Sequence, residues 1–206
     1  MITKHARSSR IQVADEAALL LYSGEEKEYK QAKMKAAKML GVRVLPSNAE
    51  VAEALDKAAE EREGEERKNR LTLMRQEALH IMNLLQDMHP ILIGSVWRGT
   101  AHKNSDIDIA AFSDSPDTTL RKLEQNNYKI TKTEWQSVTK RGEKIRTFHI
   151  HLTLSSGHET EVTVRGMERM HVKQMCEIYG DVQTGLDIQH LQQLLKTAPT
   201  QKFTPN

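Results

Sequence analysis

The stretch GSVWRGTAHKNSDIDIAAF, residues 94–112, differs in character from a chain that is otherwise rich in Lys, Glu, Ala and Leu. It contains two aspartates, Asp106 and Asp108, separated by one isoleucine. Alternating polar and apolar residues are typical of a strand buried on one face, so both carboxylates are predicted on the other face, about 7 Å apart. Because neighbouring carboxylates repel each other, this face is either simply solvated or a site for a divalent cation such as Mg²⁺.

A second feature lies at the start of the same stretch, where Gly94 and Ser95 end the apolar run PILI. Glycine lets a backbone N–H group approach a phosphate closely, and the serine hydroxyl can donate a hydrogen bond to it. A phosphate site followed, after ten residues, by a metal site is the arrangement that phosphoryl and nucleotidyl transfer need. The spacing therefore favours a catalytic interpretation over an ordinary turn and strand.

The segment before this stretch has a helical period. From about Asp15 to His89, apolar residues recur every three or four positions, with Gly41 as a predicted helix end and Ser47 with Glu50 as a predicted capping box. From His89 the period changes to that of short strands, in ILI, DIDIAAF, YKITKTEW, KIRTFHIHLTL and TEVTV. The charged segment EEREGEERKNR is interpreted as a solvated face or a helix junction.

One helix and two turns are predicted among the strands. Ser115 and Pro116 begin the helix, and SSGHE and KRGEK form the turns. After Gly166 two more helices are predicted, over MERMHVKQMCEIY and LDIQHLQQLLK. This order predicts an α+β fold, in which a short mixed β-sheet core is flanked by helices and preceded by an α-helical N-terminal region.

We expect three parts in the chain of 206 residues. Residues 1–88 form the helical N-terminal region, residues 89–196 form the core with its C-terminal helices, and residues 197–206 form a disordered tail. The helical region is interpreted as a packing or dimerisation element, with acceptor binding as the alternative. The pattern leaves the oligomeric state open.

The composition, with 38% hydrophobic and 28% charged residues and a net charge of +2, is that of a soluble globular protein. This balance gives no overall field for nucleic acid or membrane, so a basic surface would have to be local. The single cysteine, Cys176, excludes an internal disulfide and is interpreted as a structural thiol in a reducing compartment. Without an apolar run of transmembrane length or a secretory signal, the cytoplasm is the expected location and no membrane partner is expected.

The GS pair, the ten residues after it and the DID triplet resemble the signature of the DNA polymerase beta-like nucleotidyltransferase superfamily. The similarity is greatest to minimal nucleotidyltransferases and to the catalytic core of archaeal CCA-adding enzymes, and it extends from residue 89 to about residue 166. The segment LPSNAEV is also similar to prokaryotic nucleotidyltransferases that have an N-terminal helical region. The resemblance implies a nucleotidyltransferase core for the predicted mixed sheet.

The superfamily places a third carboxylate on a later strand beside the first two. Glu161 in HETEVTVR is the candidate, and Glu159 on the same predicted face is the alternative. Glu161 is favoured because it is in the middle of the strand, whereas Glu159 is next to a turn. A glutamate where the superfamily usually has an aspartate is a departure from the pattern.

The resemblance also implies a mechanism. Asp106 and Asp108 would hold two Mg²⁺ ions, for which Mn²⁺ is an alternative, and Glu161 would hold the catalytic ion and take a proton from the attacking hydroxyl. The β- and γ-phosphates of a nucleoside triphosphate would be bound by four residues, which are Gly94, Ser95, Arg98 and Lys103. The catalytic and metal-binding set is therefore Asp106, Asp108 and Glu161.

Three further features are left with two interpretations each. His149 and His151 are two apart on one predicted strand, and a structural or substrate-contacting role near Glu161 is favoured over a metal site because no third ligand has suitable spacing. Residues 121–146 contain eight Lys or Arg with two aromatic residues among them, which indicates either a solvated hairpin or a track for an RNA or DNA backbone. Trp97 is predicted to pack rather than to stack on a base.

The predicted function is Mg²⁺-dependent transfer of a nucleoside monophosphate from a nucleoside triphosphate, such as ATP, to a hydroxyl acceptor with release of pyrophosphate. The acceptor is not encoded in these residues: an RNA 3′ end is slightly favoured, and a protein side chain or a small molecule is the alternative. A catalytically inactive nucleotide- or partner-binding module of the same fold, or a helical interaction protein, is the competing hypothesis. The direction of the Glu161 side chain separates the active transferase from the inactive binding module, because two-metal chemistry would fail if that side chain faced away from the aspartates.

Overall fold

Three helices form the first part of the chain in the computed structural model, which describes residues 4–140 and 143–205. They are α1 (Lys4–Ser23), α2 (Tyr29–Met39) and α3 (Asn48–Leu84). Ser47 caps α3 as predicted: its hydroxyl accepts from the N–H of Glu50 at 3.1 Å, and the Glu50 carboxylate accepts from the N–H of Ser47 at 2.6 Å. The capping box therefore fixes where the long helix begins.

Helix α3 is interrupted at Gly64, which has φ 51° and ψ −127°. The two halves of α3 belong to different cores. Val51 and Leu55 pack with α1 and α2, whereas Leu71, Met74 and the residues after them pack against the sheet. The charged segment around Gly64 is thus a helix junction, which was one of its two predicted interpretations.

The second part is a five-stranded mixed sheet with the order β1-β2-β5-β4-β3. Strands β2 and β5 are parallel, and the other neighbours are antiparallel. The strands are β1 (Ile91–Ile93), β2 (Ile107–Phe112), β3 (Lys129–Lys140), β4 (Glu143–Thr153) and β5 (Glu159–Arg165). The short helix α4 (Gly94–Arg98), then α5 (Pro116–Gln125) and α6 (Ile188–Thr197) complete the fold, so the predicted α+β class is confirmed.

Alternation along the two central strands separates the core from the opposite face. Ile107 and Ile109 of β2 and Val162 and Val164 of β5 are buried in one cluster with α3 and α6. The residues between them consequently point to the other face of the sheet. This pattern directs the acidic side chains of both strands to one side.

The chain after β5 differs from the prediction. The segment MERMHVKQMCEIY was expected to be a helix, but it contains only a 3₁₀ turn at Met167–Arg169 and then irregular backbone. The helical prediction is wrong because non-local contacts hold this segment: the carboxylate of Asp114 accepts from the N–H of Met167 at 3.0 Å, and the carbonyl of Glu177 accepts from the side-chain amide of Asn48 at 3.1 Å. The second predicted helix, α6, is present and is capped by Asp187.

The C-terminal residues also differ from the expected disordered tail. The carbonyl oxygens of Pro199 and Gln201 accept hydrogen bonds from Arg75 at 2.7 and 2.9 Å, and Phe203 accepts one from Arg98 at 2.7 Å. Two buried arginines thereby tie this segment to the core. The predicted KRGEK turn includes residues 141 and 142, which lie outside the described residues.

None of the described helices combines the length and the apolar character that crossing a membrane requires.

Candidate active site

Three carboxylates meet on the open face of the sheet. Asp106 immediately precedes β2, Asp108 is in β2, and Glu161 is paired with Asp108 in the parallel register of β2 and β5. One carboxylate oxygen from each of the three residues lies within 4.8 Å of the others. The structure therefore brings together the three residues that were predicted as metal ligands.

Gly94 begins α4 directly against this acidic group. Its φ of +70° is in the left-handed region, and a Cβ atom added here would lie 1.9 Å from Oδ2 of Asp108. Both the backbone conformation and the close approach require glycine. The start of α4, with Gly94 and Ser95, consequently lies beside the carboxylates, as the motif predicted.

The electrostatics of the group favour a bound cation. Burial raises the pKa of Asp108 well above its usual range, and the neighbouring charges of Asp106 and Glu161 raise it further. The pKa of Asp106 is also raised, mainly by burial and then by the charge of Glu161. A divalent cation would relieve this repulsion, and three carboxylates are the hard oxygen donors that Mg²⁺ prefers, so the residues fit the metal.

Glu161 has a second set of contacts on β4 and β5. Nδ1 of His149 is hydrogen-bonded to Oε1 of Glu161, and the Thr163 hydroxyl donates to the same oxygen at 3.2 Å. The other ring nitrogen of His149 is 2.7 Å from the hydroxyl of Thr147. The position of His149 next to Glu161 agrees with its predicted location at the border of the site.

Glu159, the alternative third carboxylate, has a different environment. It is exposed, and its carboxylate accepts a hydrogen bond of 2.8 Å from the hydroxyl of Thr153. It is not part of the acidic group that contains Glu161. Of the two glutamates left open by the sequence, the structure places Glu161 with the aspartates.

A cleft of about 1080 Å³ lies over the site face of the sheet. Its walls come from the α1–α2 region, from the first half of α3 and from residues 174–183, and its floor includes Ser95, Asp106 and Asp108. The volume is at the upper end of the range for small-molecule sites. The irregular segment after β5 thus forms one wall of the cleft.

Arg98 is held by the protein itself. Its guanidinium donates to both carboxylate oxygens of Asp181, at 2.6 and 2.9 Å, and to the carbonyl of Phe203. It also stacks over Trp97, which is buried, at 4.2 Å from the ring centre. Because these contacts use three of its five N–H donors and pair its charge with Asp181, the arrangement favours a structural role for Arg98 over the expected phosphate contact.

Lys103 is exposed, and its ammonium group lies 4.7 Å from the ring centre of Tyr22 on α1. Its backbone N–H donates to the carboxylate of Glu63 at 3.0 Å. Lys103 is not among the residues that line the described cleft. The structure therefore does not bring Lys103 to the carboxylates in the way that it brings Gly94 and Ser95.

Two buried arginines of α3 that the sequence analysis did not single out support α4 and the loop that follows it. Arg75 donates to the carbonyl oxygens of Val96 and Trp97 at 3.0 and 2.9 Å. Arg67 donates to those of Thr100 and Ala101 at 2.9 and 2.8 Å. Both arginines lie on the apolar face of α3. A charged residue on an apolar face is the sequence signal that could have identified them as buried and bonded.

Comparison with known proteins gives a partial match. The family described as a nucleotidyltransferase domain matches residues 81–157, a region that contains Gly94, Ser95, Asp106 and Asp108 and ends before Glu161. No curated protein matches the chain at a significant level.

Several solved structures resemble about half of the chain. A cytoplasmic RNA terminal U-transferase is 19% identical with a TM-score of 0.31, over 49% of this chain and 29% of its own. Cid1 bound to the UTP analogue UMPNPP is 18% identical with a TM-score of 0.33, over 50% of this chain and 32% of its own. Cid1 with its short product ApU is 18% identical with a TM-score of 0.32, again over 50% and 32%. The matched part spans about a third of the length of these structures.

The family match covers the strand before the Gly-Ser pair, the pair itself and the strand that carries the two aspartates. These are the residues on which the resemblance was based. The resemblance to nucleotidyltransferases is therefore confirmed for this part of the chain, where residues 81–157 match the family described as a nucleotidyltransferase domain.

Proposed function

We propose that this protein is a Mg²⁺-dependent nucleotidyltransferase that transfers a nucleoside monophosphate from a nucleoside triphosphate to a hydroxyl acceptor. The observation that carries the proposal is the meeting of Asp106, Asp108 and Glu161 within 4.8 Å, at the floor of a large cleft and beside the Gly94 turn. Two carboxylates alone could be a solvated strand face. A third from a separate strand, in direct register with Asp108, is the arrangement that two-metal chemistry needs.

Asp106 and Asp108 would hold both ions, and Glu161 would complete the coordination of one of them. When bound, Mg²⁺ supplies Lewis-acid stabilisation of the charge that develops on the phosphate oxygens. Gly94 and Ser95 would bind the β- and γ-phosphates through backbone N–H groups and the serine hydroxyl. The nucleotide would thereby be oriented with its α-phosphate towards the carboxylates.

Glu161 would also accept the proton of the attacking hydroxyl. The acceptor oxygen forms a bond to the α-phosphorus, the bond from that phosphorus to the bridging oxygen of the β-phosphate breaks, and pyrophosphate leaves with the electron pair. Burial, and then the charges of the neighbouring carboxylates, raises the pKa of Asp108 and Asp106, and a bound cation would oppose both shifts by stabilising the charged carboxylates.

The acceptor is proposed to be an RNA 3′ end, whose strand the β3–β4 hairpin would contact away from the carboxylates, since Trp135 pairs with the core residue Phe148 and so lies on the opposite face of the sheet. Trp135 is 49% exposed, and the guanidinium of Arg146 lies 3.9 Å from its ring centre. An exposed aromatic ring with a stacked arginine is suited to bases and phosphates of a single strand. Protein hydroxyls and small molecules are the other acceptors, and the transfer experiment below separates RNA from protein.

The competing hypothesis is an inactive binding module of the same fold. It would be favoured by a third carboxylate directed away from the aspartates. Glu161 is instead within 4.8 Å of both, which supports turnover over binding alone.

The proposal is tested by incubating the purified protein with each α-³²P-labelled nucleoside triphosphate, with Mg²⁺ or Mn²⁺, and with cellular RNA, cellular protein or neither. We expect label in one acceptor fraction with the wild type and none with the Asp106→Ala/Asp108→Ala double variant. Glu161→Gln should lose transfer, whereas Glu159→Gln, the same change two residues earlier, should largely keep it. Label that survives in the double aspartate variant would refute the proposed site.

A further inference from the structure

Arg165 is the last residue of β5 and shares a face with Glu161. Val162 and Val164 between them are buried in the core, so the alternation turns residues 161, 163 and 165 to the opposite face of the sheet. Arg165 lines the same cleft as Ser95 and Asp106. Its side chain therefore belongs to the open face on which the acidic group lies.

The guanidinium of Arg165 is partly buried, yet it makes no hydrogen bond or ion pair with any residue of the described chain. The other buried arginines behave differently. Arg67 and Arg75 donate to loop carbonyls, and Arg98 donates to Asp181 and Phe203. A guanidinium has five N–H donors. Those of Arg165 are available to a ligand, whereas Arg67, Arg75 and Arg98 each make at least three hydrogen bonds within the protein.

The surroundings of Arg165 are electrostatically poised for an anion. Burial lowers its pKa, and the nearby charge of Arg169 lowers it further, whereas Glu161 acts in the opposite direction. Of the three Lys or Arg residues in the described cleft lining, Arg98 is paired with Asp181 and Lys27 is exposed on the α1–α2 side. Arg165 is the partly buried cation of this set that has no acidic partner within salt-bridge distance.

We infer that Arg165 binds a phosphate group of a ligand in this cleft. A guanidinium donates two parallel hydrogen bonds to phosphate oxygens, which gives both charge and orientation. The inference rests on the proposed function and deepens it, because the phosphate belongs either to the triphosphate of the nucleotide or to the phosphodiester of a nucleic-acid acceptor. The cleft of about 1080 Å³ has room for more than one small ligand, so its volume is compatible with both sources.

The test measures binding without turnover. Wild type, Arg165→Gln and Arg165→Lys are titrated in Mg²⁺ with a nucleoside triphosphate analogue that has a non-cleavable α–β bridge, and separately with a short single-stranded RNA that ends in a 3′-deoxynucleotide. Arg43→Gln, which removes an exposed arginine outside the cleft lining, controls for the loss of one positive charge. Melting curves establish that the variants are folded.

We expect Arg165→Gln to weaken one of the two ligands about 10- to 100-fold, as for loss of a charge-assisted hydrogen bond, and Arg43→Gln to leave both unchanged. The affinity of Arg165→Lys should lie between those of Arg165→Gln and wild type, because lysine keeps the charge but cannot donate two parallel hydrogen bonds. This variant also decides the test if Arg165→Gln does not fold. Weakened analogue binding assigns the phosphate to the nucleotide, and weakened RNA binding assigns it to the acceptor. Unchanged affinity for both, or no binding of either by the wild type, overturns the inference.

The transfer assay with labelled nucleotide separates this inference from the proposed function. Binding that depends on Arg165 in a protein that transfers no label would leave the inference standing and remove the proposed function. Transfer of label by the wild type, with unchanged binding of both ligands by Arg165→Gln, would support the proposed function and overturn the inference about Arg165.

Discussion

His149 and Glu161 are diagonal neighbours on one face of the β4–β5 pair, with Nδ1 of the imidazole hydrogen-bonded to Oε1 of the carboxylate. Glutamate has one more rotatable bond than aspartate, so a glutamate in the third metal-binding position needs additional support. His149 supplies this support from β4, a strand that carries none of the proposed metal ligands. The hydroxyl of Thr147 in turn contacts the second ring nitrogen of His149. His149 is thus a positioning residue for Glu161.

The first prediction concerns this support. His149→Ala should lower the affinity for Mn²⁺, and with it the rate of transfer, about 10- to 100-fold, which is the range found when an outer hydrogen-bond partner of a metal ligand is removed. Mn²⁺ titration followed by electron paramagnetic resonance measures the affinity directly. His149→Asn, which can still donate a hydrogen bond, should recover part of it.

His158 is a matched control for this variant. Its Nδ1 is 2.6 Å from the carboxylate of Glu77, so it forms a His–Glu contact between the β4–β5 turn and α3, away from the acidic group. His158→Ala should leave the Mn²⁺ affinity unchanged. Equal effects of the two variants would show that the loss reflects general destabilisation rather than positioning.

The second prediction concerns Gly94. Gly94→Ala introduces a Cβ atom 1.9 Å from Oδ2 of Asp108, so either α4 or the carboxylate must move. A displacement of about 1 Å at a reacting centre costs about 100-fold in rate, and we expect a loss of at least this order in the transfer assay.

Gly41 gives the control for backbone strain alone. Its φ of +65° is close to the +70° of Gly94, but a Cβ atom at residue 41 would meet nothing within 4 Å. Gly41→Ala should therefore cost only about 1–2 kcal/mol of unfolding free energy, for an alanine in the left-handed region, and should keep its activity. If both alanine variants retained full activity, the close approach of Gly94 to Asp108 would have no functional importance.

The sequence predicted those parts of the site that depend on local pattern. The alternation in DIDIAAF indicated that the aspartates share one face of the strand. The burial of Ile107 and Ile109 on the opposite face confirms this alternation. The parallel pairing of Asp108 with Glu161 and the contact of His149 with Glu161 depend on strand register between distant segments, which periodicity does not determine.

Remote contacts account for the absence of the predicted helix after Gly166 and for the protein partners of Arg98, whose predicted phosphate contact stays a prediction. The predicted helix after Gly166 and the predicted phosphate contact of Arg98 both concern residues whose partners are remote in sequence. Asp181, two residues after the segment that was predicted as a helix, binds the Arg98 guanidinium, and Asn48 binds the carbonyl of Glu177 within that segment. Helical periodicity is a weak guide where such contacts compete with it.

The third prediction concerns Arg75, which has no exposed surface and donates to four carbonyl oxygens, two in the α4 segment and two in residues 199–201. Burial lowers its pKa to about 10, so the guanidinium is still charged at neutral pH. Arg75→Met, of similar length, would leave these carbonyls without their donor and should cost about 2–4 kcal/mol of unfolding free energy. Urea denaturation measures this loss.

The position of Gly94 and Ser95 should change in the same variant, since Arg75 holds the carbonyls of Val96 and Trp97. We expect a raised KM for the nucleoside triphosphate in Arg75→Met at temperatures where the protein is still folded. Arg43→Met, at an exposed position, should change the unfolding free energy by less than about 0.5 kcal/mol. A destabilised Arg75→Met with an unchanged KM would limit Arg75 to a role in stability.

The fourth prediction is a pH dependence of stability through Asp181. Hydrogen bonds from Arg98 hold the pKa of this carboxyl below its ordinary value in the folded protein. In the unfolded chain an aspartate titrates near pH 4, so the folded state gains stability from Asp181 above about pH 4 and loses it as the pH falls through the lower folded-state pKa. Asp181→Asn should cost about 1–2 kcal/mol at pH 7, a modest figure because Asp181 is partly exposed.

The difference between wild type and Asp181→Asn should then shrink as the pH is lowered from 4, because protonation of Asp181 makes the wild type resemble the variant. Unfolding in urea at pH 7 and at several values below 4 measures both curves. A constant difference at all pH values would mean that the charge of Asp181 contributes nothing beyond its shape. The residues 174–183 that carry Asp181 line the cleft, so a loosened Arg98 contact in the variant should also weaken binding of the nucleoside triphosphate analogue at pH 7.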